Sequence, residues 1–490
     1  MKKIEYLIAK IAGKFALQGT KLGKGMGKSF PGYLFLKIAS FNGLKLLAKN
    51  PKCGSIILTG TNGKTTTTKI LIRLMKNEYK IAANYESNTI NAITTGLLND
   101  NVDFGIFEYG IRDTIHGIPD KIQELVDPIG VVYTNISREH TQVGGVKNRF
   151  EDYLNAKSLL TKNMKKGIII SNGDNPYTTY ITKNKEKESE KEGYTLKVNY
   201  FSSILNLETT DKKCPACSKN LRYHKYENDT LKYPNKNYHC DCGFFKPAPQ
   251  VKLTEIEINA DRWKFKVVGS PYNYFLKDKF SFDFTSDFPP IGLHNLNNGL
   301  TAITAYASFT SRPEKFEDNV KKIFSEIGKD ILPPGRFEIF EIKKLDDTNQ
   351  KNIKVKHVGL GQGDNGEALN VNMKFMKLIM KNNNLHFIYT SPDDFEEDIF
   401  DDHLKVIEEA KPLKVSVLPG RNSLKMGEKA YNIIKKMYDS EFHPIVDQNE
   451  RINKIHEIIL SSDMDYVIAS GCGEEQKMWE TIKEQLRKNL

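Results

Sequence analysis

The first half of the chain alternates between short apolar runs and stretches with helical periodicity. Short apolar runs bounded by glycine or polar residues predict buried strands, whereas recurrence every three or four positions predicts helices. Between residue 54 and about 175, the predicted strands lie at 55–58, 104–108, 130–133 and 167–171. Because helical stretches separate these strands, the pattern predicts an α/β fold in which helices cover a parallel sheet.

Further elements are predicted on both sides of this region. The apolar N-terminus carries charges at Glu5, Lys10 and Lys14, which predicts an amphipathic helix. Lysine and glutamate dominate residues 183–192, which we interpret as a solvated linker or helix surface. Period-two alternation within 251–285 predicts antiparallel strands, and residues 295–310 predict an alanine-rich helix.

A second α/β unit is predicted after Pro333, Pro334 and Gly335, with strands at 355–360, 385–389, 414–418 and 466–469. A chain of 490 residues is too long for one core, so two or three domains are expected. We predict a short N-terminal segment or domain at 1–52 and a central domain at 53–330. The central domain contains a cysteine-rich insert at about 205–250, and a C-terminal domain occupies 331–490.

The composition, 39% apolar and 27% charged, is that of a globular protein. No run of residues approaches the roughly 18 to 20 apolar positions that cross a bilayer. Glu5, Lys10 and Lys14 also interrupt the N-terminal apolar stretch, unlike the continuous apolar core of a signal peptide. We therefore expect a cytoplasmic protein without stable membrane insertion.

The net charge is +11, from 72 Lys and Arg against 61 Asp and Glu. Such an excess suits an anionic ligand, a nucleic acid or an anionic membrane surface. Lysine is spread along the chain, and neither a basic cluster nor a known nucleic-acid-binding motif is evident. We therefore expect no nucleic-acid partner.

A glycine-rich loop follows the first predicted strand and precedes a helical pattern from residue 68 to 75. Glycine lets backbone N–H groups close around a polyphosphate, and a helix N-terminus adds partial positive charge. In this setting Lys64 can reach the terminal phosphates and the Thr65 hydroxyl can bind Mg²⁺. Two residues, not the usual four, separate the glycines, and a chance Gly-Lys-Thr sequence is the alternative. We predict a nucleoside triphosphate site formed by Gly60, Thr61, Asn62, Gly63, Lys64, Thr65 and Thr66.

Polar residues also end the next predicted strands. Glu108 closes one strand, and the segment 134–140, which ends in His140, follows another. Ligands of open parallel sheets bind beyond the carboxyl ends of the strands, so these side chains are expected beside the phosphate loop. Glu108 is accordingly predicted to bind the same Mg²⁺ as Thr65.

Four of the six cysteines fall in one segment, while Cys53 and Cys472 are isolated and are interpreted as buried small residues. The spacing is C-x2-C, then 22 residues, then C-x-C. In a cytosolic protein such a group indicates a metal more often than disulfides, and four thiolates can form a tetrahedral Zn²⁺ site. The second pair is one residue shorter than a standard knuckle, so free thiols, or His239 as a replacement ligand, remain alternatives. The predicted zinc ligands are Cys214, Cys217, Cys240 and Cys242.

Five segments together resemble the Mur ligase family, and the likeness runs from about residue 20 to the C-terminus. These segments are 60–65, 134–140, 151–157, 292–298 and 334–338. The resemblance implies a central P-loop ATPase domain with a parallel sheet, a C-terminal Rossmann-like α/β domain, a small N-terminal segment and a zinc-ribbon-like insert. Enzymes of this family use ATP to convert a carboxylate into an acyl phosphate, which an amine attacks to form an amide.

The resemblance also implies roles for individual residues. Lys64, Thr65 and Glu108 would hold the phosphates and Mg²⁺, and His140 would bind a second Mg²⁺. Lys157 matches a lysine that is often carbamylated in the family, with a surface lysine as the alternative reading. The nucleotide contacts implied by the resemblance are Asn295 and Asn298 near the base and Arg336 from the interdomain linker.

Different segments resemble different branches of the family. Residues 22–32 and the cysteine cluster resemble the MurT-type subunit, which amidates lipid-linked precursors. Residues 465–476 resemble the MurE type, although its Asn-Pro specificity motif is missing. The MurT type carries an aspartate that completes a partner's catalytic triad, and Asp393 or Asp394 is only a loose counterpart of it. A chain that combines features of the MurT type with features of the MurE type resembles the archaeal pseudomurein peptide ligases.

We therefore predict an ATP-dependent peptide ligase that adds an amino acid to a nucleotide-linked, for example UDP-linked, cell-wall peptide. The first alternative is a MurT-like amidating subunit that uses ammonia from a glutaminase partner and a lipid-linked precursor. A nucleotide-dependent switch or zinc-bearing binding module without ligase chemistry, and a folylpolyglutamate-type ligase, are further alternatives.

Overall fold

The computed structural model describes residues 3–22, 28–84, 87–111, 113–114, 118–137, 149–205, 212–225, 236–258, 262–289, 291–331, 335–346, 349–394, 396–420, 423–472 and 476–488. These residues divide into two compact units. The first unit comprises described residues within 3–137, 149–289 and 295–331, and the second those within 291–294 and 335–488. Among the described residues, no helix is both long enough and apolar enough to span a bilayer.

Most helices of the first unit connect or flank strands of a large sheet. The helices are α1 (Lys3–Leu22), α2 (Phe30–Leu47), α3 (Lys64–Met75), α4 (Ile90–Leu97), α5 (Pro119–Val126), α6 (Arg149–Leu159), α7 (Pro176–Glu192), α8 (Leu293–Phe309) and α9 (Phe316–Glu326). The strands are β1 (Gly54–Thr59), β2 (Ile81–Ala83), β3 (Phe104–Glu108), β4 (Gly130–Tyr133), β5 (Lys166–Asn172), β6 (Thr195–Ser203), β7 (Arg222–Lys225), β8 (Lys236–His239), β9 (Val251–Glu257), β10 (Trp263–Gly269), β11 (Tyr272–Asn273), β12 (Asp278–Lys279) and β13 (Phe282–Phe288).

The main sheet of the first unit has the order β13-β10-β9-β6-β5-β4-β1-β3-β2. From β2 to β9 neighbouring strands are parallel, whereas β10 pairs antiparallel with both β9 and β13. The central strands are apolar because both faces are buried; Ile56, Ile57 and Leu58 in β1, for example, are fully buried. The predicted parallel and antiparallel segments are both confirmed, and they form one continuous sheet.

The second unit is built on a smaller sheet with the order β14-β15-β19-β16-β17-β18. Its strands are parallel except for β14, which forms an antiparallel edge with β15. The strands are β14 (Glu338–Asp346), β15 (Asn349–Gln362), β16 (Leu385–Thr390), β17 (Lys414–Leu418), β18 (Asp439–Phe442) and β19 (Tyr466–Gly471). The helices are α10 (Gly366–Ile379), α11 (Glu397–Ala410), α12 (Leu424–Ile434), α13 (Gln448–Ser461) and α14 (Gln476–Lys488).

The second α/β unit expected from the sequence is therefore present. Its core is formed by buried apolar residues of the central strands and of α13 and α14, including Val358, Ile455, Ala469 and Trp479. The strongly charged segment 183–192 is the C-terminal part of α7 rather than a linker. Gly193, with φ of +69°, follows that helix as its left-handed cap.

Candidate nucleotide site and cysteine cluster

The phosphate loop connects the end of β1 to the start of α3, and its two glycines are required by close contacts. A Cβ atom on Gly60 would lie 1.9 Å from Thr134 Oγ1, and one on Gly63 would lie 2.1 Å from Asn298 Oδ1. Gly63 also adopts a φ of +80°, in the left-handed region that favours glycine. The loop is therefore packed so closely that neither position has room for a side chain.

The residues after β4 fasten the middle of the loop. Asn135 accepts two hydrogen bonds at 2.8 Å, from Thr61 N to its carbonyl oxygen and from Asn62 N to its Oδ1. In return, Thr134 Oγ1 donates to the Asn62 carbonyl at 2.7 Å. Because the N–H groups of Thr61 and Asn62 are engaged here, the first turn of α3 is the natural anion-binding part of the loop.

Lys64 lies at the start of α3 with its side chain turned back over the loop. Its Nζ donates to the carbonyl oxygens of Gly60 at 3.0 Å and Thr61 at 2.8 Å. A lysine in this place brings a positive charge to the phosphate loop at the N-terminus of a helix.

Thr65 and Glu108 meet beside the loop, as expected from their places in the sequence. The Thr65 hydroxyl donates to Glu108 Oε2 at 2.8 Å, and Glu108 is 9% exposed. Asn84 holds the backbone of Glu108: its Oδ1 accepts from Glu108 N at 2.8 Å, and its Nδ2 donates to Glu108 O at 2.7 Å. The backbone of Glu108 is thus held independently of its carboxylate, which has the Thr65 hydroxyl beside it.

Lys157 on α6 also reaches the loop and is only 1% exposed. Its Nζ donates to Thr59 Oγ1 and to the Gly60 carbonyl oxygen, each at 3.1 Å. The ammonium also lies 4.9 Å from the centre of the Tyr153 ring. The alternative reading of Lys157 as a surface lysine is therefore wrong, and two lysines converge on the Gly60 carbonyl.

Three neighbours of the loop were not singled out by the sequence analysis. Tyr153 OH lies 3.0 Å from Thr61 Oγ1, and Asn84 and Asn135 make the contacts described above. Tyr153 precedes Lys157 by four positions, so helical spacing from that lysine would have found it. Asn84 follows β2, a strand of three residues that is too short to give a pattern of its own.

The residues to which the resemblance assigns nucleotide or second-metal contacts lie in different parts of the chain. Asn295 and Asn298 lie on α8, where Asn298 Nδ2 donates to Asn295 Oδ1 at 3.1 Å, and Asn298 is the residue that abuts Gly63. Arg336 belongs to the second unit, where Lys483 Nζ donates to its carbonyl oxygen. His140 lies outside the described residues.

The four clustered cysteines come together at the base of the β7–β8 ribbon. Their sulfur atoms all lie within 4.8 Å of one another, with Cys214 Sγ 3.6 Å from Cys242 Sγ and Cys217 Sγ 3.4 Å from Cys240 Sγ. At these distances the four cysteines do not form disulfides, since an S–S bond is about 2.05 Å long. Four thiolates bound to zinc at about 2.3 Å would lie roughly 3.8 Å apart, so the cluster has the size of a zinc site.

The pKa values of these thiols are shifted in different directions. Burial raises the pKa of Cys214 to about 12, whereas a hydrogen bond with the Cys242 backbone lowers the pKa of Cys240 to about 7. A divalent cation would favour the thiolate form of all four groups, because metal ligation deprotonates cysteine.

The cysteine cluster is attached firmly to the first unit. Tyr238 OH donates to the Gly173 carbonyl oxygen at 3.0 Å and lies 2.8 Å from the Thr179 hydroxyl oxygen. Just after the cluster, Lys246 forms a 2.7 Å ion pair with Asp174, and both side chains are largely buried. The insert is therefore docked on α7 and the preceding loop.

The part of the chain that contains the phosphate loop and the cysteine cluster is similar to known proteins. Residues 58–245 match the Mur ligase middle domain. The MurT subunit of lipid II isoglutaminyl synthase (glutamine-hydrolyzing) from Streptococcus pneumoniae strain R6 is 25% identical over 287 residues, 57% of this chain and 57% of MurT. The chain thus matches less than two thirds of that relative's length.

Solved structures show the same fold at lower sequence identity. The pseudomurein peptide ligase type C from Methanothermus fervidus is 18% identical with a TM-score of 0.61, over 93% of this chain and 84% of that one. The MurF ligase from Thermotoga maritima, in complex with ADP, is 13% identical with a TM-score of 0.57, over 92% and 83%. The resemblance expected from the motifs is confirmed over residues 58–245, which match the Mur ligase middle domain, and the solved Mur ligases share the fold of the chain.

Proposed function

We propose that this chain is an ATP-dependent ligase that joins a carboxylate of a cell-wall peptide precursor to an amine. The γ-phosphoryl group of ATP passes to the carboxylate and ADP leaves. The amine nitrogen then attacks the acyl phosphate, so the amide forms and inorganic phosphate is released. The convergence of Lys64, Lys157 and the Thr65–Glu108 pair on one glycine-rich loop carries this proposal. A reaction that consumes ATP suits the cytoplasm, which we propose as its location.

The oxygen atoms beside the loop fit Mg²⁺. One hydroxyl and one carboxylate, from Thr65 and Glu108, are ligands that this ion accepts together with substrate phosphates. When bound, the ion would offset the negative charge of the phosphates. His140 is proposed, from the family resemblance, to hold a second Mg²⁺.

The remaining proposed roles concern the nucleotide and the transferred phosphoryl group. Lys64 would exchange its loop carbonyls for the terminal phosphates, because charge-assisted bonds to phosphate are stronger than those to neutral carbonyls. The loop residues Gly60 to Thr66 would surround the phosphates, while Asn295, Asn298 and Arg336 would contact the rest of the nucleotide. Lys157 would act near the γ-phosphate, either as an ammonium or, as the resemblance implies, as a carbamate.

The peptide ligases and the MurT subunits among the similar proteins suggest two different acceptor substrates. We propose first that the amine is an amino acid and the acceptor a nucleotide-linked peptide of murein or pseudomurein type. The MurT match favours a second candidate, in which the chain is an amidating subunit that acts on a lipid-linked precursor with ammonia from a glutaminase subunit.

Phosphate release with each amine separates these candidates. The purified chain is incubated with ATP, Mg²⁺ and a UDP-linked peptide, and with ammonia or single amino acids. Turnover with one amino acid supports the peptide ligase, whereas turnover with ammonia alone supports the amidating subunit. ATP binding without phosphate release, for any amine and for both UDP-linked and lipid-linked acceptors, would contradict ligase chemistry and favour a nucleotide switch.

We propose that the four cysteines bind one structural zinc ion, as four-thiolate sites do. Replacing Cys214, which is buried, with serine is expected to remove the bound zinc and lower the unfolding temperature. Zinc content by elemental analysis and thermal unfolding measure the two effects.

Further variants show which residues bind the proposed zinc ion. Cys53→Ser removes a thiol outside the cluster and should keep the zinc. Loss of zinc in His239→Ala together with its retention in Cys242→Ser would show that the histidine replaces Cys242. Wild-type protein purified without zinc, even after reconstitution, would contradict the site.

A further inference from the structure

Helix α1 is apolar on two opposite faces. One face packs into the first unit: Ala9 is fully buried, Tyr6 contacts the Phe35 ring of α2 edge-on, and Gly13 lies against Leu98. The opposite face carries large apolar residues that face solvent. These residues, the α1 stripe, are Ile4, Leu7, Ile8, Ile11 and Phe15, with exposed fractions between 48% and 72%.

The α1 stripe has the spacing of one continuous surface. Its members recur at intervals of three or four positions, so their side chains lie along one side of the helix. An ordinary surface helix places polar residues on that side. A contiguous apolar surface of this kind marks an interaction site.

The N-terminal part of the sequence carries a strongly one-sided charge. Residues 1–52 contain eleven lysines and one acidic residue, Glu5, so they carry ten of the eleven net positive charges of the chain. Lysines are spread along the whole sequence, but residues 53–490 together carry a net charge of only +1. Beside the stripe, Lys10 and Lys14 share Asp100 of the α4–β3 connection, and α2 adds exposed Lys37 and Lys45.

We propose that the α1 stripe docks on an anionic lipid surface, with the helix lying in the plane of the membrane interface. Interfacial helices combine large aliphatic and aromatic residues with flanking lysines, whose stems extend along apolar surface. The stripe lacks hydrogen-bonding groups that would fix the register of a protein partner, and the excess lysine charge complements anionic headgroups.

Such docking bears on the acceptor of the proposed ligase reaction. A chain held at a lipid surface would meet a lipid-linked precursor there, so this inference favours the lipid-linked candidate and to that extent depends on the proposed function. The docking itself is measured without ATP or acceptor. Its failure would therefore leave the ligase chemistry untouched, and a failure of the chemistry would leave the docking untouched.

Sedimentation with vesicles tests the proposal. The full chain is expected to bind phosphatidylglycerol–phosphatidylcholine vesicles, to bind pure phosphatidylcholine vesicles weakly, and to be released by salt. The triple variant L7S/I11S/F15S should bind the anionic vesicles at least about tenfold more weakly, because apolar insertion contributes to the affinity. Its rate of ATP turnover with a water-soluble acceptor should be unchanged.

The matched control is the variant L276S/L413S, which removes two isolated apolar residues that are 42% and 55% exposed. It should bind the anionic vesicles as the wild-type chain does. Equal vesicle binding by the triple variant, or no binding by the wild-type chain, would overturn the proposal. A wild-type dimer that becomes monomeric in the triple variant, without vesicle binding, would assign the stripe to a second copy of the chain.

Discussion

Replacing Lys157 with methionine is expected to reduce amide formation at saturating ATP by at least about a hundredfold, the usual effect of losing one positioned polar group. Methionine retains a buried unbranched side chain but removes the Nζ that donates to Thr59 Oγ1 and Gly60 O. The phosphate loop loses two hydrogen bonds, and in the proposed reaction the transferred phosphoryl group would lose the charged group that Lys157 supplies. Initial rates at varied ATP concentrations separate the loss in kcat from any rise in KM.

Lys185 supplies the matched control because it is a buried lysine in the same unit. It is 5% exposed, and its Nζ donates to the Lys162 carbonyl oxygen at 2.7 Å, away from the phosphate loop. Lys185→Met should lower the unfolding temperature and leave kcat near the wild-type value. Equal losses of kcat in both variants would show that Lys157 contributes to folding rather than to the reaction.

The charge state of Lys157 can be tested separately with Lys157→Ala, whose cavity admits a small ion. The two contacts described here are with oxygen acceptors, which suit an ammonium. A carbamate would add two acceptor oxygens and negative charge at the same place. Rescue of turnover by methylammonium would support the ammonium, whereas rescue by formate or acetate would support the carbamate.

Most of the fold could be predicted because each parallel strand leaves a local signal. Strands β3 and β4 coincide with the predicted runs 104–108 and 130–133, since buried strands are short and continuously apolar. The pairing of β9 with β6 could not be predicted in this way. It joins residues about fifty positions apart, and no local pattern specifies which strands of a long chain become neighbours.

The phosphate loop and Glu108 could also be predicted, because strand ends of one parallel sheet meet at one edge. The buried surroundings of Lys157 could not be predicted from the sequence. A lysine on a helix ordinarily faces solvent, and only the tertiary packing of α6 brings this one to the loop. The N-terminal helix was predicted as amphipathic, but the sequence does not reveal which apolar face is covered; in the structure one face of α1 is buried and the α1 stripe is exposed.

Replacing Glu108 with glutamine is expected to raise the Mg²⁺ concentration needed for half-maximal turnover at least about tenfold, because a neutral amide is a weak ligand for a hard cation. The fold should be retained, since Asn84 holds Glu108 through its backbone N and O atoms. Glutamine can also still accept the Thr65 hydroxyl through its amide oxygen. Turnover measured as a function of free Mg²⁺ at saturating ATP gives the shift directly.

Asp174→Asn provides the control for Glu108→Gln, because Asp174 is a largely buried carboxylate of the same unit whose ion pair with Lys246 lies at the cysteine insert. That variant should unfold at a lower temperature and keep the wild-type Mg²⁺ requirement. If Glu108→Gln instead keeps the wild-type requirement, Glu108 is not a ligand of the ion. The buried carboxylate would then orient the Thr65 hydroxyl through their 2.8 Å hydrogen bond.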